Sequence, residues 1–303
     1  MQDMLPNKLC QALNSGKFLV TAECLPPAGA DAKVLLTAAS ALPEALDAIV
    51  LPDNPDRIRI SSFAAAALLR GKKKTAVIMS MTTRDRNRCA LMSDALGASA
   101  VGISGILCAS GNHQSLSVCK EAASSNGVDS VQLVQMLKRM VLHGTLTYVD
   151  EIEKKISLQI GALAEPYLEP AELNLIRVRK KVAVGADFLL TQAIFDISGF
   201  EKWMSSVRSQ GLDKRTAIIA GILIPDSGEK ARKLQTLRTY GPIGDAVVDR
   251  IARAADPAEE GVALAAEIAK TVKNIPGVRG IHILCGGCET LAGKVIKQAE
   301  LFV

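Results

Sequence analysis

Glu23 is the first residue whose position in the sequence suggests chemistry. In the stretch TAECLPPAGAD, residues 21–31, this carboxylate ends the apolar run Phe18-Leu19-Val20 and stands just before the pair Pro26-Pro27. A buried strand that ends on a charge either presents that charge to a site or simply passes into a loop. Glu23 is therefore either a catalytic acid or an ordinary loop glutamate.

Polar residues follow the other apolar runs of the chain as well. They are Asp53-Asn54-Pro55, residues 82–86, residues 110–113, Glu165, Gln192, residues 225–227 and residues 285–288. The set holds few carboxylates and no histidine cluster, so it contains neither the carboxylate pair of a glycosidase nor three metal ligands at a plausible spacing. We predict no metal site, and a polar surface that binds a planar ligand.

The elements that must position these residues repeat along the chain. Runs rich in Val, Ile and Leu recur, mostly about 29 residues apart, at 17–24, 46–51, 75–80, 104–109, 158–163, 187–192, 216–223 and 278–284. Continuous rather than alternating hydrophobicity is typical of parallel strands buried on both faces. Helical patterns occur at 31–42, 56–69, 86–98, 170–184, 198–210, 228–240, 257–274 and 289–299. This order predicts an α/β fold, a (β/α)8 TIM barrel, with a doubly wound sheet as the alternative.

The segment 121–156 is longer than one strand-helix unit and carries a helical pattern at 129–142. We interpret it as an insertion after strand four, with an ordinary outer helix as the alternative. No Ser-, Gly- or Pro-rich linker divides the chain, so the sequence predicts one domain over residues 1–303.

Composition excludes several function classes. Hydrophobic residues make up 49% and aromatic residues 3%, and the net charge is +5. The one dense basic run, residues 71–74, has no interleaved aromatics, which favours a solvated loop over a nucleic-acid patch. No apolar run is long enough to cross a membrane. The seven cysteines are scattered and do not resemble a disulfide framework, so we expect a cytoplasmic protein.

Five stretches together resemble one known family. They are TAECLPP at 21–27, TRDRNRCALMSDALGA at 83–98, KKVAVGADFLLTQAIFD at 180–196, AGILIP at 220–225 and GIHIL at 280–284. In order, over nearly the whole chain, they are similar to the methylenetetrahydrofolate reductases, flavin-dependent barrel enzymes of one-carbon metabolism. The RDRN stretch is more similar to the branch found in fused or multi-subunit bacterial enzymes than to the stand-alone enteric type.

The resemblance implies reduction of 5,10-methylenetetrahydrofolate to 5-methyltetrahydrofolate, or the reverse, with FAD or FMN as the cofactor. Glu23 matches the family's general acid, and Gln192 matches the glutamine that binds folate. The flavin is held in the family by the loops after strands two to five. The positions of this chain that match are Thr82, Thr83, Asp85, Ser110, Gly111 and Asn112. Lys181 also matches a family lysine, although a lysine on a helix usually faces solvent.

Two positions depart from the family pattern. Asn112 stands where the family has an aspartate beside the flavin and the folate, and losing that negative charge should raise the flavin potential. Residues 284–288, Leu-Cys-Gly-Gly-Cys, replace a turn that helps to hold folate. This C-x-x-C is half of a metal or iron-sulfur site, a redox pair, a contact with a partner's cluster, or an unreactive turn.

The departures, with the scarcity of aromatic residues, favour electrons supplied by an iron-sulfur partner subunit over direct reduction by NAD(P)H. The sequence therefore predicts an oligomer or a hetero-complex. Two other functions stay open. One is a non-catalytic or electron-relay barrel subunit, and the other is a barrel folate methyltransferase that needs no flavin.

Overall fold

Eight parallel strands form a closed barrel in the computed structural model of this chain, with each strand paired to the next and β8 paired to β1. The strands are β1 (Leu19–Glu23), β2 (Ala48–Leu51), β3 (Ala76–Thr82), β4 (Gly105–Ala109), β5 (Gln159–Ala164), β6 (Phe188–Ala193), β7 (Ala217–Leu223) and β8 (Val278–Leu284). The structure describes residues 8–113, 119–123, 125, 127–146, 151–237 and 240–302. Each strand overlaps one predicted run, and the (β/α)8 fold is confirmed.

Helices surround the barrel. They are α1 (Lys8–Asn14), α2 (Ala32–Ala41), α3 (Ser62–Arg70), α4 (Arg88–Ala100), α5 (Ser130–His143), α6 (Ala171–Ala183), α7 (Ile197–Ser209), α8 (Gly228–Thr236), α9 (Asp245–Arg253), α10 (Pro257–Lys273) and α11 (Glu289–Gln298). Among the described residues, none of these helices combines the length and the apolar character that a membrane span requires.

Side chains that cap helix starts explain where several helices begin. The prediction of a helix from residue 56 is wrong, because α3 starts only at Ser62, after the Ser61 hydroxyl accepts the Ala64 amide. Asp56 instead pairs with Arg59 in the preceding loop. Helices α1 and α9 were not predicted at all.

The barrel interior is filled by alternate residues of the strands. Leu19, Val50, Ile78, Leu107 and Phe188 belong to one buried cluster, which also includes Leu9 and Ala12 of α1. Helix α1 therefore closes the end of the barrel at which the strands begin. The opposite end, where the strands finish, is left to the loops that carry the predicted site residues.

The insertion predicted after strand four is not confirmed. Helix α5 is the single helix between β4 and β5 in the described part of this segment, and it packs against both strands and α6. It thus occupies the position of an ordinary outer helix. Residues 114–118, 124, 126 and 147–150 of the segment lie outside the described residues. The additional helices come instead after β7, where α8, α9 and α10 precede β8.

Candidate functional site

Glu23 ends β1 on the inward face of the barrel. Side chains alternate across a strand, so Leu19, Thr21 and Glu23 share one face, and Leu19 lies in the interior cluster. One layer below Glu23, the Thr21 hydroxyl lies 2.9 Å from Nδ1 of the buried His282. The Glu23 carboxylate itself accepts the backbone N–H of Gly286 at 2.8 Å, which joins the ends of β1 and β8.

The surroundings of Glu23 favour its protonated form. The residue is half-buried by accessible surface, but its carboxyl lies among protein groups, and this desolvation raises its pKa from 4.5 to about 7. The Gly286 hydrogen bond opposes the rise, and the nearby charge of Glu289 adds to it. A carboxyl that titrates near neutral pH can act as a proton donor under physiological conditions.

Glu289 was missed by the sequence reasoning. Its side chain is buried, with 6% exposed, and its Oε1 accepts the backbone N–H of Leu25 at 2.9 Å. It lies in the first turn of α11, directly after the C-x-x-C turn. The available signal was a carboxylate just past a strand end, the same signal that singled out Glu23.

The C-x-x-C turn holds two protonated thiols. Cys285 is fully buried, and burial raises its pKa well above the ordinary value. Cys288 donates to Oδ2 of Asp226 at 2.5 Å, and burial with this bond raises its pKa to about 11. Lys230 lies 3.1 Å from the same Asp226 oxygen. Because the thiolate is the metal ligand and the nucleophile, these surroundings disfavour both roles at neutral pH.

Gln192 lies at an irregularity near the end of β6. The pairing of β6 with β7 shifts by one residue between Leu190 and Ala193, and a bulge of this kind re-aims side chains at a strand end. Gly221 of β7 permits the close approach, because a Cβ there would lie 2.6 Å from the carbonyl oxygen of Thr191. The predicted folate ligand is thus half-buried at the barrel mouth.

Lys181 does not face solvent as helix lysines usually do. Its Nζ donates to the carbonyl oxygen of Leu163 in β5 at 2.7 Å, and burial lowers its pKa. The nearby Glu165 opposes this shift. A lysine on α6 therefore reaches the carbonyl of the strand before it.

Thr82 has a structural role at the end of β3. Its N–H and hydroxyl both donate to Oδ2 of Asp53, at 3.1 and 2.8 Å. Arg86 donates to the same oxygen at 2.6 Å and also pairs with Asp94. Asp53 is almost completely buried and links the loops after β2 and β3. Its central place in this network was not predicted.

The loops after β3 and β4 enclose a cavity of about 420 Å³. It is lined by Thr83, Arg84, Ser110, Gly111, Asn112, His113, Ser125, Val128, Asp129 and Gln132. Four of the predicted cofactor residues are thus brought together, whereas Thr82 and Asp85 are not part of the lining. Asp85 is exposed and forms a two-bond ion pair with Arg84, which lowers the pKa of Asp85.

Gly111 and Arg84 shape the floor of this cavity. Gly111 has φ +77°, and a Cβ there would lie 3.2 Å from the Cβ of Arg84 and 3.3 Å from its guanidinium. Arg84 is buried and donates to the carbonyl oxygen of Asn112 at 3.4 Å. A glycine is therefore needed for the loop to pass over the arginine.

Comparison with solved structures finds the same fold in other proteins. Solved structures similar to the chain include an uncharacterized protein from Clostridium thermocellum that binds two copies of 5-methyl-5,6,7,8-tetrahydrofolic acid (TM-score 0.67, 13% identity, 96% of this chain and 99% of that chain). Another is an F420-dependent secondary alcohol dehydrogenase (TM-score 0.53, 13% identity, 93% and 99%). At these identities the likeness shows the fold alone.

Sequence comparison is more specific. Methylenetetrahydrofolate reductase 2 of Saccharomyces cerevisiae is 34% identical over 70 residues, which span 21% of this chain and 11% of that protein. The sequence model of the family described as methylenetetrahydrofolate reductase matches residues 8–300, and thereby includes both strand ends that carry Glu23 and Gln192. The chain belongs to the methylenetetrahydrofolate reductase family.

Proposed function

We propose that this protein interconverts 5,10-methylenetetrahydrofolate and 5-methyltetrahydrofolate with a bound flavin, FAD or FMN. The observation that carries the proposal is Glu23, an inward-facing carboxyl at the barrel mouth with a pKa of about 7. Opening of the five-membered ring of the substrate requires a proton, and a carboxyl of this pKa holds one at neutral pH. The family match over residues 8–300 supports the same chemistry.

The cavity between the loops after β3 and β4 supports the cofactor part of the proposal. Its lining offers the Thr83 and Ser110 hydroxyls, the Asn112 amide and the Arg84 guanidinium, which suit a polar, planar ring system. Gly111 keeps the loop close over Arg84, since a Cβ at this position would press on the arginine side chain. Thr83, Ser110, Gly111 and Asn112 would hold the flavin, which supplies the hydride when bound.

Two residues of the chain then act on folate in this proposal. Glu23 donates the proton to the ring that opens, and the Gly286 amide fixes the carboxyl that donates it. Gln192 binds the pterin edge, because an amide both donates and accepts hydrogen bonds. Thr82 and Asp85, both predicted to bind cofactor, instead brace the surrounding loops through Asp53 and Arg84.

The proposal also includes the source of the electrons that reduce the flavin. The scarcity of aromatic residues in the chain favours a partner subunit with an iron-sulfur cluster over a stacked nicotinamide. The burial of Cys285 argues that the C-x-x-C does not itself ligate the partner's cluster. The protein then works inside a hetero-complex.

An anaerobic stopped-flow experiment tests the proposal. The chain is reconstituted with FAD or FMN, reduced chemically and mixed with 5,10-methylenetetrahydrofolate, and the oxidised flavin absorption is recorded. We expect rapid reoxidation in the wild type, and a loss of about 100-fold or more in rate in Glu23→Gln with flavin still bound. Glu44→Gln, at an exposed site before β2, is the matched control and should react like the wild type.

Asn112 favours one alternative, a barrel subunit that binds flavin without turnover, because it lacks the carboxylate that the family places there. A flavin that stays reduced after folate addition would support that alternative. Absence of flavin after reconstitution would overturn the cofactor assignment and favour a folate methyltransferase.

A further inference from the structure

Two carboxylates hold the ends of β1 and β8 together in a reciprocal way. Glu23, which ends β1, accepts the N–H of Gly286 in the turn after β8 at 2.8 Å. Glu289, three residues beyond Gly286, accepts the N–H of Leu25 in the loop after β1 at 2.9 Å. Each carboxylate therefore fixes the backbone of the segment that carries the other.

We propose that Glu289 is a positioning residue for Glu23: its carboxylate fixes the loop that follows Glu23, and its negative charge disfavours ionisation of Glu23. The inference rests on the proposed function, in which Glu23 is the proton donor. It assigns a role to a buried carboxylate that the proposed chemistry does not otherwise use.

The charges around Glu23 single out Glu289. The titratable groups that influence Glu23 or are influenced by it are Glu289, Lys230, Arg59, Cys24, Cys285 and Tyr240. The two cations each have a carboxylate of their own, since Lys230 pairs with Asp226 at 3.1 Å and Arg59 pairs with Asp56 at 2.7 Å. The thiols and the phenol are neutral at pH 7, because burial raises the pKa of each.

Glu289, in contrast, has no ion pair among the described residues. It lies in the first turn of α11, where the helix N-terminus stabilises a carboxylate. Among the described groups near Glu23, Glu289 is therefore the carboxylate that no cation in direct contact offsets. A like charge close to a carboxyl keeps the proton on that carboxyl to higher pH.

Three substitutions separate the contact from the charge. Glu289→Gln keeps an oxygen for the Leu25 amide and removes the charge, Glu289→Ala removes both, and Glu289→Asp restores the charge on a shorter side chain. Glu44→Gln removes an equal charge at the opposite end of the barrel. The full chain is used for every variant.

Infrared difference spectra between each variant and its Glu23→Gln double mutant, recorded against pH without flavin or folate, report the ionisation of Glu23 directly. We expect the pKa of Glu23 to fall by roughly 0.5 to 1 unit in Glu289→Gln, as estimated for the loss of one like charge at a partly solvated site. It should stay at the wild-type value in Glu44→Gln and return toward it in Glu289→Asp.

An unchanged pKa of Glu23 in Glu289→Gln would overturn the inference, even if the enzyme proves active. A lowered pKa supports it even if no folate turnover is found, so the proposed function can fail separately.

In an active enzyme, the pH at which the rate falls should move down by the same interval in Glu289→Gln. Glu289→Ala should lose about ten-fold more rate than Glu289→Gln, because the Leu25 amide then lacks its acceptor. If Glu289→Ala fails to fold, Glu289→Gln and Glu289→Asp still decide the question.

Discussion

The carboxylates on the two sides of the barrel mouth have different partners. On the side of β1 and β8, Glu23 and Glu289 each accept a backbone amide, and neither touches a cation within the described part of the chain. On the side of β2 and β3, Asp53 lies 2.6 Å from Arg86, and Asp85 lies within 2.8 Å of Arg84. The pKa of Glu23 is raised to about 7, whereas that of Asp85 is lowered.

This difference corresponds to two roles of a carboxylate, a structural one and a proton-transferring one. A carboxylate paired with an arginine keeps its charge throughout the physiological pH range, as Asp85 does. The buried pair of Asp53 and Arg86 braces the loops after β2 and β3. A carboxyl buried beside a second carboxylate takes up and releases protons near neutral pH, as Glu23 does. In the proposed function, the side of β2 and β3 holds the cofactor in a rigid frame, and the side of β1 and β8 performs the proton transfer.

The largest expected effect on stability comes from Asp53→Ala. Removing Asp53 leaves Arg86 with Asp94 alone as its carboxylate partner among the described residues, and it leaves the Thr82 amide and hydroxyl without their acceptor. We expect the free energy of unfolding, measured in urea, to fall by about 3 to 5 kcal/mol. Asp56→Ala removes a more exposed carboxylate from the same loop and should lose about 1 kcal/mol or less. Equal losses of unfolding free energy in the two variants would contradict the view that the buried Asp53 pair stabilises the fold more than the exposed Asp56 pair.

The second prediction concerns the pH dependence of stability on the Glu23 side. The unfolded chain releases this proton near pH 4.5, but the folded chain keeps it until about pH 7. Between these values the folded state binds more protons, so stability decreases as pH rises. We expect a decrease of at most about 3 kcal/mol across this window in the wild type. Chemical unfolding of Glu23→Gln should lack this decrease; a slope identical to that of the wild type would contradict the raised pKa.

A smaller effect is expected from Gly111→Ala in the frame around the cavity. The left-handed backbone, with φ +77°, should lower stability by about 1 to 2 kcal/mol. The added Cβ also presses on Arg84, so flavin affinity measured by titration should fall by about ten-fold. Gly144→Ala has similar strain, with φ +66°, and its added Cβ would meet no atom of the described residues within 4 Å. It should leave flavin affinity unchanged. Equal affinities in the two variants would place the flavin elsewhere.

The smallest expected effect is that of Asn112→Asp. A carboxylate at this exposed position should disfavour the anionic reduced flavin and lower the midpoint potential. The shift should be on the order of 10 to 20 mV, because solvent screens the charge. Gln132→Glu introduces the same charge from the α5 wall of the cavity and serves as the control. A potential that moves equally in both variants would mean that Asn112 has no special place beside the ring.

Local sequence patterns predicted the barrel because they depend on neighbours along the chain. Continuous apolar runs of buried parallel strands, and the caps that begin helices such as Asp129 for α5, are short-range signals. The same patterns failed where distant residues decide. The loop before α3 is held by distant residues, because the carbonyl oxygens of Pro26 and Pro27 accept the Arg59 guanidinium and the Ile60 amide. The segment after β4 packs as an outer helix because α5 contacts β4 and β5.

The fold, the family motifs and the strand ends that carry Glu23 and Gln192 could be predicted from the residues alone. The surroundings of these two side chains depend on the folded chain. Closure of the barrel brings residues 23 and 286, which are 263 positions apart, within hydrogen-bonding distance. It also places Glu289 beside Glu23 and commits Thr82 to Asp53. Burial and long-range charge set a pKa, and both depend on residues that are adjacent only after folding.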